Sequence, residues 1–349
     1  MKKSFLTSML SALAFLIILA GCGNGQETSG GEPSAGDTEV VDSLKIIAAH
    51  NQTSPENPYQ DGLMKFKEVA ESESDGAIEV EVHAGTLGTE ESELVERLKL
   101  GGADVVLVSP GFMSSTGIKE VDLLALPYLF ESYAHWESVV DGEVGEELAQ
   151  LVNEKSNNDF KIIGYWTAGV RHYYGKQPLE SIEDLKGMTI RTQTSGVVSD
   201  YWQQVGAIPT SVAWGELYQA LQQNVVDSAE NAYPYYIQQN HHKTPNGKYT
   251  TETAHDYTTR LLLVSGNKFD SFTDEQKEIL LKAAEASVEA EREALYAQED
   301  EYKELAVSGG AEVNEIDRVP FIEIAQPIHE KAAKEMGIEE LLQKINELK

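Results

Sequence analysis

Sulfur chemistry is almost missing from this chain: Cys22 is its single cysteine, which excludes an intrachain disulfide framework. Basic side chains are scarce as well. Lysine and arginine together number 27 against 58 aspartates and glutamates, a formal charge of −31. So acidic a surface repels polyanions, and no nucleic-acid partner is expected. A bound anion would need a locally positive site. Long apolar runs are confined to the first twenty residues, so nothing later approaches the length of a membrane span. Catalytic signatures are missing too. There is no G-x-S-x-G elbow, no phosphate-binding P-loop, no dinucleotide fingerprint and no H-E-x-x-H. The eight histidines are scattered, and the adjacent His241 and His242 do not have the spacing of zinc ligands. No metal site, no cofactor and no catalytic residue are expected, and the chain does not read as an enzyme.

Order begins at the N-terminus. Met1-Lys2-Lys3 is a short positive segment, followed by an apolar stretch strongest from Ala12 to Ala20. Leu19-Ala20-Gly21-Cys22 closes it, as in a lipoprotein signal. The expectation is a signal peptide over 1–21, lipidation of Cys22 and export to the cell membrane, with the protein lipid-anchored on its extracytoplasmic face. Residues 22–43 are rich in Gly, Ser, Glu and Thr and read as a flexible tether.

From Leu44 onward, β-branched apolar runs alternate with helical patterns. Leu44 to Ala49, Ala77 to His83, Asp104 to Ser109, Phe160 to Trp166, Met188 to Thr192 and Thr258 to Ser265 read as strands. Tyr59 to Glu71, Glu90 to Leu100, Val197 to Val205, Trp214 to Gln223 and Pro234 to Gln239 read as helices. A long helix is expected from Thr273 to about Ser308, opened by the cap Thr273-Asp274-Glu275-Gln276. The alternation predicts an α/β protein with mainly parallel sheets.

Arginine is rare, with six in the chain, and two lie where ligands collect. Arg171 follows a Gly-x turn, Gly169-Val170, after the strand ending near Trp166. Arg191 ends the strand Met188 to Thr192. Ligands of open α/β sheets bind outside the carboxyl ends of strands. An arginine there can grip a carboxylate through two parallel N–H···O bonds. Tyr165, Trp166, Tyr173 and Tyr174 flank Arg171, and Trp214, Tyr218, Tyr233, Tyr235 and Tyr236 follow Arg191. Side chains with an apolar body and a polar tip suit a hydroxylated ligand.

Several segments then agree in order and spacing with one family. They include His50, Asn57-Pro58, Leu87-Gly88, Leu126-Pro127-Tyr128-Leu129-Phe130, Gly164-Tyr165-Trp166 and Gly169-Val170-Arg171. Leu185 to Arg191, Gly206 to Pro209, Glu216 to Gln222, Val225-Val226-Asp227 and Glu230-Asn231 continue the agreement. From about Leu44 to Gly337 the chain resembles the solute-binding proteins of tripartite ATP-independent periplasmic (TRAP) transporters. Departures stand beside these segments: Asn224 where glycine is common, Ser228-Ala229 for Gly-Gln, Val170 for an aromatic, and Tyr173-Tyr174-Gly175 for a Thr-Asn pair.

The resemblance implies a two-lobed clam-shell with a long helix along both lobes. The first lobe would be 44–168 plus 255–297 and the second 169–254 plus 298–349. From its position just before the Thr258 to Ser265 strand, Asp256 or His255 is expected near the hinge. It implies that Arg191 pairs with a ligand carboxylate while Arg171 and Asn231 assist. The expected binding set is Arg191, Arg171, Asn231, His50, Glu56, Asn57, Gln193, Trp214 and Tyr233. The expected partners are a small organic anion and the integral-membrane subunits of an ion-driven transporter. One cationic clamp among neutral polar groups suits a sugar acid such as a uronate or aldonate. The alternatives are a C4-dicarboxylate, which needs two clamps, and, from another class, a secreted enzyme acting on a carbohydrate acid.

Overall fold

A computed structural model of the chain describes residues 43–193 and 195–349. The signal segment, Cys22 and all of the tether but Ser43 lie outside the described residues. Among the described residues no helix is long and apolar enough to cross a membrane.

The described strands share one sheet: β1 (Leu44–His50), β2 (Ile78–Ala84), β3 (Val105–Val108), β4 (Lys161–Gly175), β5 (Thr189–Thr192), β6 (Ile208–Ser211), β7 (Ser228–Asn231), β8 (Tyr249–Val264) and β9 (Glu312–Glu315). Their order is β2-β1-β3-β8-β4-β7-β5-β6, with β9 paired to β8. Both flanks are parallel, β2-β1-β3 on one side and β7-β5-β6 on the other. The centre is not. β8 runs antiparallel to β3 and to β4, and β4 antiparallel to β7. The sheet is therefore mixed, which corrects the expectation of a mainly parallel one.

Strand alternation builds two cores. Val105, Leu107, Leu262 and Val264 face one side, with the helix Pro58–Glu73 and the long helix Asp274–Ser308 packed over them. Val106, Val108, Leu261 and Leu263 face the other, under the helices Glu91–Leu100, Glu143–Lys155 and Gly196–Gln204. A period of two sends neighbouring residues to opposite faces, so each strand feeds both layers. A third cluster around Tyr174, Leu217, Leu221 and Tyr236 covers the β7 region. The long helix starts as expected: the Thr273 side chain accepts from Gln276 N–H, and the Gln276 side chain accepts from Thr273 N–H.

β4 and β8 span the whole molecule, and both are broken near the middle. Their pairing shifts register between Thr167 and Val170 and again between Arg171 and Tyr173. Gly169 lies inside the first break with φ +85°, and a Cβ there would meet Ala232 and Glu299 at 2.7 Å. The Gly-x turn read from the sequence is thus a break within one long strand. On β8 the irregular residue is Ala254, at φ +41°, inside the second break. The long helix grips the first break with two acids. Glu291 accepts from Thr167 N–H (3.2 Å) and Glu299 from Val170 N–H (2.7 Å). Two C-terminal helices, Val319–Met336 and Glu339–Glu347, close the second face. His329 Nε2 donates to the Pro127 carbonyl (2.8 Å) and His135 Nε2 to that of Ile345 (2.9 Å).

Candidate functional site

The ends of the parallel strands converge on a cleft of about 250 Å³. Asn51 and Gln52 follow β1, Gln193 follows β5, Val212 to Trp214 follow β6, and Asn231 ends β7. Three guanidinia reach it, those of Arg171, Arg191 and Arg260. The sequence pointed to the first two and missed the third, which stands in the run Thr258 to Ser265, otherwise read as a buried strand.

Arg171 is 1 % exposed and almost fully engaged by the protein. Its Nε and Nη2 donate to the Glu230 carboxylate, Nη2 also to the Glu230 carbonyl (2.7 Å), and Nη1 to Asn231 Oδ1 (3.0 Å). Burial alone would push the Glu230 carboxyl up. The Arg171 charge and hydrogen bonds from His255 and Arg171 outweigh it and hold the group at about 2. His255 Nε2 lies 3.2 Å from Glu230, and Asp256 is the residue paired with Arg171 across β4 and β8. Burial pushes Asp256 up to about 6 against the Arg171 and His255 charges. A buried ionic knot therefore sits beside the strand breaks.

Arg191 is 6 % exposed and is placed differently. Its Nε donates to the Val212 carbonyl (3.0 Å), and its guanidinium lies 5.6 Å from the centre of the Trp214 ring. Among the described residues its two terminal nitrogens have no hydrogen-bond acceptor, and no carboxylate lies within ion-pair distance. Burial lowers its pKa without removing its charge. Glu90, also in the lining, is raised by burial, against the Gly215 N–H and the Arg191 charge.

Arg260 donates to three neutral oxygens: Tyr59 Oη (2.8 Å), the Thr259 carbonyl (3.1 Å) and Gln193 Oε1 (3.2 Å). Two further polar atoms of the lining, Gln52 Oε1 and Tyr235 Oη, are buried with no hydrogen-bond partner among the described residues.

Of the expected binding set, Arg191, Arg171, Asn231, Gln193 and Trp214 line the cleft. The other four do not. His50 is buried behind it, its Nε2 on Gln60 (3.1 Å) and its Nδ1 accepting from Gln52 N–H (3.2 Å), so it shapes the loop that carries Gln52. Burial lowers its pKa to about 4, which keeps it neutral. Asn57 caps the helix Pro58–Glu73 through Tyr59 N–H (3.0 Å) and donates to Gln238 (3.1 Å). Glu56 offers its carbonyl to Gln238 and Gln298, away from the arginines. Tyr233 donates to Glu252 (3.1 Å), and Tyr235, two residues on, takes the cleft position instead.

The model of the family described as bacterial extracellular solute-binding protein, family 7, matches residues 48–335. The C4-dicarboxylate-binding periplasmic protein DctP of Rhodobacter capsulatus is 28% identical over 298 residues, 84% of this chain and 88% of that protein. A TRAP periplasmic solute-binding protein of Sulfitobacter sp. NAS-14.1, solved with bound β-D-galacturonate, superposes with a TM-score of 0.79. It is 30% identical and the match covers 85% of this chain and 98% of that one. A TRAP periplasmic solute-binding protein of Citrobacter koseri, solved with D-glucuronate, gives a TM-score of 0.81 at 26% identity, covering 88% and 100%. Fold, cleft and relatives agree: the chain belongs to the family 7 bacterial extracellular solute-binding proteins, the two-lobed solute receptors of TRAP transporters.

Proposed function

We propose that this receptor captures a hydroxylated monocarboxylate, a uronate or an aldonate, and hands it to an ion-driven membrane transporter. The observation that carries this reading is Arg191. Its terminal nitrogens meet no acceptor among the described residues and open to the cleft, so its charge needs a partner once the cleft closes and water leaves. In a chain with so large a surplus of acid, a partner from the protein would be easy to supply. A ligand carboxylate satisfies the fork bidentately and leaves no charge uncompensated. The relatives solved with galacturonate and glucuronate support the sugar-acid class.

Arg191, Arg171, Asn231, Gln193 and Trp214 would hold the ligand, with Arg171 acting mainly by fixing Glu230 and Asn231. No bond of the ligand would be made or broken. Capture would be a closure of two lobes, 44–168 plus 255–297 against 169–254 plus 298–349, about the breaks in β4 and β8. The breaks at Gly169 and Ala254 support those boundaries, and the two C-terminal helices bridge to the first segment through His329 on Pro127 and His135 on Ile345. Cys22 would carry the lipid that keeps the receptor at the outer face of the membrane.

A second reading, a C4-dicarboxylate receptor, is favoured by one observation, the additional cation Arg260. Calorimetric titration with D-galacturonate, D-glucuronate, succinate and malate separates the two. The expected result is micromolar or tighter binding of a uronate and at least tenfold weaker binding of both diacids. Tighter binding of succinate or malate would establish the second reading in its place.

A further inference from the structure

Arg260 is buried, lines the cleft and makes hydrogen bonds only to neutral oxygens, those of Tyr59, Thr259 and Gln193. A guanidinium has five N–H groups, so two remain. Among the described residues no carboxylate lies within ion-pair distance of it. The same lining carries Gln52, whose Oε1 can only accept, and Tyr235, whose Oη can donate or accept. Both residues are more than nine-tenths buried and both atoms are unpartnered among the described residues. The cleft lining thus offers donors and an acceptor beyond the Arg191 fork.

A second carboxylate fits that combination poorly. It would satisfy Arg260 but offer no donor to the Gln52 oxygen. A hydroxyl both donates and accepts, so neighbouring hydroxyls could satisfy Gln52, Tyr235 and Arg260 at once.

We infer that Arg260, Gln52 and Tyr235 form a subsite that reads ligand hydroxyls, and that this subsite, rather than Arg191, decides which acid is retained. The inference rests on the proposed sugar-acid reading and adds residues and a chemical role to it.

The test is calorimetry on wild type, Arg260→Gln and Gln52→Met with four probes: D-galacturonate, D-glucuronate, D-galactarate with its second carboxylate, and tetrahydropyran-2-carboxylate with no hydroxyl. Wild type is expected to prefer one of the uronates to the other two probes. Each substitution is expected to weaken that uronate about 10- to 100-fold, with a much smaller loss for tetrahydropyran-2-carboxylate. Ligand-free melting checks folding. Gln52→Met, which gives up an oxygen without a protein partner, decides the matter if Arg260→Gln does not fold. Unchanged uronate affinity in the folded variants would overturn the subsite while leaving the receptor reading intact. So would galactarate binding more tightly than both uronates and weakening selectively in Arg260→Gln, which would make Arg260 a carboxylate clamp. Failure of wild type to bind either uronate would overturn the uronate reading and the subsite together.

Discussion

Arg171 and Arg191 line the same cleft and are both nearly inaccessible, yet their surroundings differ. Arg171 on β4 is locked to Glu230 and Asn231, next to the breaks where β4 and β8 cross the molecule. Arg191 at the end of β5 has a carbonyl and an indole ring for company and two terminal nitrogens without a protein acceptor. The difference teaches how to separate a structural arginine from a binding one in an acidic protein. The structural arginine is paired before any ligand arrives. The binding one is held in place by a single hydrogen bond, from its Nε to a carbonyl, and left with its fork open.

That contrast can be broken most forcefully at Arg171. Arg171→Met is expected to destabilise the ligand-free protein by about 3–5 kcal/mol, because Glu230 then loses its buried counter-charge. The pH dependence sharpens the claim. Glu230 is held at about 2, below its ordinary 4.5, so its contribution is present above pH 4.5 and is lost as pH falls toward about 2. Urea unfolding of wild type from pH 5 to pH 2.5 should show that loss, and Arg171→Met should show much less of it. A variant as stable as wild type, with the same acid profile, would erase the distinction between the two arginines.

A smaller effect is expected at Glu291, the buried acid of the long helix that accepts from Thr167 N–H while its Oε1 has no partner among the described residues. Burial pushes this carboxyl up to about 8, against the Thr167 N–H and the Arg292 and Arg260 charges. The neutral form is therefore the native one at pH 7. The folded pKa exceeds the unfolded 4.5, so the contribution is full below pH 4.5 and declines as pH rises through about 8. Glu291→Gln should change stability at pH 4 by less than about 1 kcal/mol and flatten its decline between pH 4.5 and about pH 8. Chemical denaturation across that range checks it. An unaltered slope in the variant would place the titration elsewhere.

The flanks of the sheet were legible because parallel strands buried on both faces are continuous apolar runs, as in Leu44 to Ala49 and Asp104 to Ser109. The centre was not. The first half of β8 is polar, yet Thr250, Thr251 and Thr253 are buried, and their hydroxyls do work that apolar strands do not. Thr251 accepts from Leu179 N–H and Thr253 from Tyr173 N–H, so a threonine run that looks exposed is core. Arg260 was hidden by the opposite effect, one cation inside an apolar run. Asn57 carried its own warning, since Asn before Pro is a helix cap as readily as a ligand residue. Tyr233 and Tyr235 differ by about 200° on a helix, which local sequence cannot orient without the neighbouring layer. Asn224 shows a departure that costs the fold little: its φ is +58°, a conformation glycine takes freely and asparagine tolerates.

The central claim is that Arg191 holds the ligand carboxylate, and calorimetry on wild type and Arg191→Lys with D-galacturonate tests it most directly. An ammonium cannot reproduce the planar fork, and breaking a desolvated charge pair costs on the order of 2–5 kcal/mol. The expected result is a loss of roughly 30- to several-thousand-fold in affinity, with the ligand-free melting temperature close to that of wild type. Unchanged affinity, or a large fall in ligand-free stability with binding preserved, would contradict the assignment and return Arg191 to the structural class that Arg171 occupies.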